Sequence, residues 1–425
     1  MTGFLLVRGA RQLLTLRGSS APRRGPALRD LGLIEDGAVL IRGGQIVSVG
    51  STRRVENLTE ARSAREIDAT GRVVMPGFVD SHTHLVSAPA RLADYEADLA
   101  GSKREQIDAG GGGALARARA RRALSGSRLL LQARRSLRAF ICHGTTTVEG
   151  KAGHGLDQTG ELKTLRVMAA LDQRPLDVLP TFMSGPVLPL EWANRGDDYV
   201  EWVCARLLPK IRRRKLARFV DVAWGPEGLS PEQARGVLET ARARGFQIKM
   251  HAEQPSPSGA ARLARELGAV SADHLVYADP EDILMLAASP TLVTLLPGAS
   301  FHPDLGRFPP ARAFIEAGAA VALATDFNPS RSSTHSMQMV MGLACAQMRM
   351  TPAEAVAAAT INGAHALGVA GRVGSLEAGK QADLILLDVP DYRELTYHVG
   401  GNLVAMTLKR GQILCQQGEV QWPDD

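Results

Sequence analysis

The amino-acid sequence predicts an α/β protein, a (β/α)8 barrel carrying a small sheet domain made from both chain ends. Three observations carry that expectation. Between residues 76 and 370, eight short apolar runs alternate with longer amphipathic segments, the pattern of parallel βαβ units. Residues 1–75 and 371–425 instead alternate β-rich runs with turns. Four of the eight apolar runs end in histidine or aspartate, residue types for which a packed barrel core has no use.

At the N-terminal end the runs are "FLLVRGARQLLTL", "GAVLIRGGQIVSVG" and "REIDATGRVVMPG". The Gly43-Gly44 pair between two alternating stretches signals a tight hairpin. "ADLILLDV", "VAMTLKRGQIL" and "CQQGEVQW" repeat this texture at the other end. Chain termini often lie close together, so the two ends are expected to build one domain. The barrel strands are read as "GFVDSHTHL", "GTTTVEGKA", "DVLPTFM", "FVDVAW", "FQIKMHAE", "SADHLV", "LVTLLPG" and "AVALATDF", with helical segments such as "SPEQARGVLETARARG" between most of them. Eight such strands fit a closed barrel better than an open doubly wound sheet, and no GxGxxG follows the first. Segments 87–140 and 327–350 exceed ordinary βα connections. In barrels such insertions cover the C-terminal mouth, where the chemistry sits.

Composition narrows the function classes. With 45% hydrophobic and 22% charged residues among 425, the chain buries one large core or two moderate ones. Fifty basic against 44 acidic residues give a net charge of +6, much of it in "ARARARRALSGSRLLLQARRSLRAF" and "RLLPKIRRRKLARF". Without aromatic interleaving or a binding motif, these read as solvated arginines on amphipathic helices, and no nucleic-acid partner is expected. Cys142, Cys204, Cys345 and Cys415 lack CxxC spacing and predict reduced thiols. The N-terminal apolar run is too short for a signal segment, and no stretch of about 18 apolar residues occurs, so a cytoplasmic protein with no membrane partner is expected.

In "PGFVDSHTHLV" an apolar strand ends in His82 and His84. Side chains at i and i+2 of a strand point the same way. His251 in "KMHAEQ", His274 in "SADHLV" and Asp326 in "ALATDFNPS" close three other strands. Each histidine alone reads more simply as a hydrogen-bonded structural residue. In a parallel barrel, however, all strand C-termini meet at one face, so these groups converge, and crowded there without a cation they would compete for partners. Neutral imidazoles and a carboxylate suit Zn²⁺, with Fe²⁺ or Mn²⁺ as alternatives. Because "DVLPTFM" ends without a lysine and Lys151 is placed in a loop beyond "TTVEG", one metal is expected rather than two.

These residues, together with "DAGGGG", "HGTTTVEGKAGHGLD", "GAVSADHLVYAD", "LLPGASF", "MTPAEAVAAATINGAHALG" and "VGSLEAGKQADLILLD", resemble the amidohydrolase superfamily and, within it, the imidazolonepropionase family. The resemblance spans nearly the whole chain. It implies a distorted (β/α)8 TIM-like barrel over 76–370 and a composite β-sandwich from 1–75 and 371–425. It implies one divalent metal, zinc or iron, on His82, His84, His251 and Asp326, with His274 facing the attacking water and the substrate. The implied reaction is hydrolysis of a ring amide, with Asp326 moving the proton and His274 stabilising the oxyanion. For imidazolone propionate the product is N-formimino-glutamate.

The resemblance also implies a small anionic cyclic-amide substrate. Arg91 matches the arginine that holds its carboxylate, and Asn328 and Ser330 match a product-binding loop. Three positions depart: His154 and Arg104 stand where the family has tyrosines, and Pro186 where it has a histidine, so another propionate-bearing ring, a hydantoin or a thio-imidazolone, is the main rival substrate. Nucleobase deaminases with this metal centre need a carboxylic acid three residues after the third histidine. Here that position is Gln254, which has no acidic proton and is expected to contact the substrate instead. A metal-free scaffold protein is disfavoured because every ligand position is filled. A homodimer is expected.

Overall fold

The computed structural model describes residues 3–185, 187–188, 190–225, 228–301 and 306–421, with the side chains of 104, 105 and 190 outside the described set. Eight parallel strands form one sheet in sequence order: β1 (Phe78–Asp80), β2 (Thr145–Ala152), β3 (Asp177–Ser184), β4 (Phe219–Val222), β5 (Gln247–Ala252), β6 (Ser271–His274), β7 (Leu292–Leu295) and β8 (Val321–Leu323). Every predicted barrel strand is present. Closure comes from the segments just beyond β1 and β8: the His84 N–H donates to the Phe327 carbonyl at 2.8 Å, and the Asp326 N–H to that of His82 at 3.0 Å.

Outward-facing residues such as Val148, Val220, Ile248, Ala272 and Val293 join the helices in one large apolar core. The helix Pro231–Ala243 shows why a segment folds locally: Ser230 and Gln233 form a capping box, Pro231 starts the first turn, and Ala234, Val237, Leu238 and Ala241 give one buried face. Among the described residues no helix is long and apolar enough to cross a membrane.

The chain ends build a separate sheet of nine strands. Val73–Pro76 joins its halves, pairing in parallel with Phe4–Leu14 and antiparallel with Leu384–Leu387. The Gly43-Gly44 hairpin forms with both glycines at positive φ, between paired Arg42 and Gln45. Side chains from both halves, including Leu5, Val39, Ile41, Leu384, Leu386 and Leu408, share one core.

Candidate metal centre

β1 has only three residues, so His82 and His84 stand beyond regular strand structure. The i, i+2 arrangement survives because neighbouring strands continue to hold this segment. Thr83 lends its carbonyl to the Lys151 N–H at 2.8 Å, and its hydroxyl donates to the Glu149 carbonyl at 2.5 Å. His274 follows another route. Strand alternation would turn it away from its neighbour Asp273, but at φ +78° the backbone leaves strand geometry and swings the ring inward. Its centroid then lies 5.2 Å from that of His82 and 4.9 Å from that of His251. Asp326 is likewise turned at φ +53°. Such non-glycine conformations cost about 1–3 kcal/mol each and persist where the surrounding structure enforces them.

The donor atoms converge. Asp326 Oδ1 lies 3.3 Å from His84 Nε2 and 3.6 Å from His82 Nε2, and donor atoms of His82, His251 and His274 all fall within 4.8 Å of one another. Atoms bound about 2.1 Å from one tetrahedral ion would stand about 3.4 Å apart. His82 Nε2 and His274 Nδ1 are buried without a hydrogen-bond partner, the mark of lone pairs kept for something else. Burial holds His82, His84 and His274 below the usual imidazole pKa, His274 at about 3. They are therefore neutral, the form that ligates a cation. Burial pushes the Asp326 carboxyl up, but the hydrogen bond to His84 and the surrounding imidazoles leave it below its ordinary value.

Three of the four histidines are braced from behind. His82 Nδ1 is 2.7 Å from Asp273 Oδ2 and His84 Nδ1 is 2.8 Å from His154 Nε2, while His251 Nδ1 lies 3.0 Å from Asp221 Oδ2, close enough for an ion pair but out of line for a hydrogen bond. Such partners fix ring orientation and tautomer, leaving the opposite nitrogen for the ion. Beneath them lies a layer of charge that the sequence reading missed. Lys151 is not a loop cation: it belongs to β2, is fully buried, and sets Nζ 2.6 Å from Asp221, 3.0 Å from Glu149 and 3.5 Å from Asp273. Lys249 Nζ donates to the Ser81 carbonyl at 2.9 Å and to Glu149 at 3.0 Å. Burial alone would raise the Asp221 and Asp273 carboxyls, but His251 with Lys151, and Lys249 with Lys151, respectively hold them low. Two ammoniums thus face Glu149, Asp221 and Asp273, and with Asp326 at the mouth the carboxylates outnumber them, a charge balance that suits a bound cation. The signal available in the sequence was Glu149 and Lys151, or Lys249 and His251, at alternate positions of otherwise apolar strands.

The expected substrate residues divide. His154 sits against His84. Arg91 donates from Nε to both Asp94 oxygens, at 3.1 and 3.2 Å, and from Nη2 to the Gly111 carbonyl at 3.1 Å. Asn328 Oδ1 accepts from the Ser330 N–H and hydroxyl, and its Nδ2 donates to the Asp326 carbonyl. This pair holds the loop behind Asp326 in shape. Gln254 is partly buried directly after Glu253, whose carboxylate caps the turn at Ser258, Gly259 and Ala261. The Arg104 side chain and Pro186 lie outside the described residues.

Comparison with known proteins agrees with this architecture. The amidohydrolase family matches residues 73–414. An imidazolonepropionase from Geobacillus kaustophilus is 44% identical over 423 residues, covering 98% of this chain and 99% of that protein. One from Chloroflexus aggregans is 43% identical over 420 residues, covering 96% and 98%. Among solved structures, a triazine hydrolase variant superposes with a TM-score of 0.73 at 19% identity, covering 99% of this chain and 97% of that one. An adenosine deaminase from Xanthomonas campestris with bound zinc gives 0.71 at 21%, covering 99% and 94%. The two structures share the fold, and the two sequence relatives share much more. With the family match over most of its length and relatives above 40% identity end to end, this chain belongs to the amidohydrolase family, in its imidazolonepropionase branch.

Proposed function

We propose that this chain hydrolyses the ring amide of 4-imidazolone-5-propionate to N-formimino-L-glutamate, a step of histidine degradation. The observation that carries this reading is the convergence of braced imidazoles and Asp326 at the barrel mouth, in a chain 42–44% identical to imidazolonepropionases over nearly their whole length. We assign His82, His84, His251 and Asp326 to one ion, zinc or iron. Once bound, that ion supplies polarisation of the ring carbonyl and a water of lowered pKa.

Bracing separates the histidines by role. His82 and His84 have a hydrogen-bond partner behind Nδ1, and His251 Nδ1 has the Asp221 carboxylate 3.0 Å away in an ion-pair contact, as ligands do. His274 Nδ1 has none, so its ring is free to turn toward the substrate. As a neutral imidazole it has one N–H, which it donates to the oxygen that becomes negative as the ring carbonyl is attacked. Asp326 accepts the water's proton and returns it to the ring nitrogen as the C–N bond breaks. Asp273, Asp221 and His154 keep the rings aligned throughout.

In this reading His274→Ala lowers kcat about a hundredfold or more while metal content stays unchanged. Loss of metal in that variant would make His274 a ligand and overturn the division of roles. A panel of propionate-bearing imidazolones and hydantoins tests the ring, and the imidazolone should have the highest kcat/KM. If a hydantoin exceeds it, the substrate assignment falls.

A further inference from the structure

Two of the four thiols scattered along the sequence meet in the structure, at a place for which the ring-opening reaction has no use. Cys142 ends the helix Gly126–Cys142, which leads into β2, and Cys415 lies on the strand Gln412–Gln416 of the composite sheet. The Cys415 S–H donates to Cys142 Sγ at 3.4 Å, and the Cys142 S–H points on to the Gly418 carbonyl at 3.5 Å. Both are free thiols. Hydrogen bonds around the pair fasten the helix end to the sheet: the Thr407 hydroxyl donates to the Ile141 carbonyl at 2.8 Å, and Asn402 Nδ2 to the Cys142 carbonyl at 2.9 Å. A sulfur–sulfur bond is about 2.05 Å long, so forming one inside this frame takes roughly 1.4 Å of side-chain movement.

The two thiols differ in the way that reaction with an oxidant requires. Cys142 is partly exposed, whereas Cys415 is buried. The hydrogen bond from Cys415, with the charge of Arg138 one turn back on the helix, draws the Cys142 thiol below its ordinary value against the effect of burial. That same hydrogen bond, with burial, keeps Cys415 a thiol. Attack on an oxidant is made by thiolate, so the reachable member of the pair is also the reactive one. Burial pushes Cys204 and Cys345 the other way, Cys345 to about 11.

We propose that Cys142 and Cys415 are a modification site, a dithiol that a hydroperoxide oxidises to a disulfide, and that the bond stabilises the joint between barrel and composite sheet. The Cys142 thiolate attacks one peroxide oxygen, the O–O bond breaks, and the departing hydroxide takes up the proton that the thiol had lost. Cys142 is then a sulfenic acid. Cys415 attacks its sulfur, and the hydroxyl leaves with the Cys415 proton as a second water. Two thiols and one hydrogen peroxide thus give one disulfide and two waters. A small dithiol reverses the change by exchange. The site stands apart from the metal centre, and the inference is independent of the ring that the enzyme opens.

The test treats the full chain, loaded with zinc because that ion has no redox chemistry of its own, with a small excess of hydrogen peroxide. The thiol titre of the denatured protein should fall from four to two, peptide mapping should find Cys142 joined to Cys415 within one chain, and dithiothreitol should restore the titre. Oxidation should raise Tm by about 2–5 °C, since the bond closes a loop of 273 residues. Cys415→Ala should stop the reaction at the sulfenic acid, read as a dimedone adduct on Cys142. Cys142→Ser should keep its remaining thiols under the same treatment. The unmodified chain carries the mapping and Tm results by itself if either variant is not recovered folded. A titre that stays at four, a disulfide through Cys204 or Cys345 or between chains, oxidation of Cys142 that ends as a sulfinic acid, or a Tm unchanged by the bond would each overturn the proposal.

Discussion

The two interiors of this protein are built from opposite materials. In the composite sheet, Leu5, Val39, Ile41, Leu384, Leu386 and Leu408 close an apolar core, and the buried Lys409 beside it is paired directly with Asp383 and Asp177. Inside the barrel, Asp80, Glu149, Lys151, Asp221, Lys249 and Asp273 are all fully buried. Apolar burial stabilises the sheet wherever its strands meet, and needs nothing from outside. Buried ions cost several kcal/mol each in lost hydration, offset only by well-placed partners. The contrast teaches that the sheet pairs its few buried charges within itself and its neighbours, whereas the barrel interior buries more carboxylates than ammoniums, an arrangement that suits a cation at its mouth. A layer of this kind is poor material for stability and good material for holding ligand side chains rigid.

The sharpest attempt to break this contrast is Lys151→Met. Removing the ammonium leaves Asp221, Asp273 and Glu149 facing one another, and the barrel should lose about 3–5 kcal/mol together with its metal. Urea unfolding and elemental analysis measure both, and a variant as stable as wild type that retains metal would mean the charged layer is incidental. Leu386→Ala, made in the other core, should cost about 2–5 kcal/mol through lost contacts and a residual cavity. Here the expected signature is lowered stability with kcat and metal content unchanged. A fall in metal content would show that the two cores are coupled. The smallest effect belongs to His154→Phe, which removes the partner of His84 Nδ1 while keeping a ring of similar shape. Metal affinity, read by competition with a chelator, should weaken about ten- to a hundredfold, and an unchanged affinity would leave His154 as a substrate contact rather than a brace.

Particular residues show how far the sequence could be read. His82, His84, His251, His274 and Asp326 were found because each is a polar residue closing an apolar run, and barrel topology brings run ends together. Lys151 is expected in a loop because "TTVEG" reads as the end of the strand, yet β2 pairs with β3 through Lys151↔Thr181 and Ala152↔Phe182 before it ends. Asp221 and Asp273 were passed over because, without knowing which strand faces which, a carboxylate inside an apolar strand names no partner. Arg121 was read as solvated because its neighbours on the helix are arginines too, and burial of one depends on what packs over it.

The sequence by itself determined the alternation of strands and helices, the hairpin at Gly43-Gly44, and the chemical types available at the barrel mouth. These are local properties, set by the period of the side chains and the conformational freedom of a few residues. Only the tertiary structure decided which histidines are braced, that Lys151 lies beneath them, and that His274 turns inward at φ +78°. Those outcomes depend on contacts between β1, β2, β4, β5 and β6, segments far apart in the chain, with 191 residues separating His82 from Asp273. No local pattern encodes them, because the energy of a buried charge is fixed by the groups that surround it and not by those beside it in the chain.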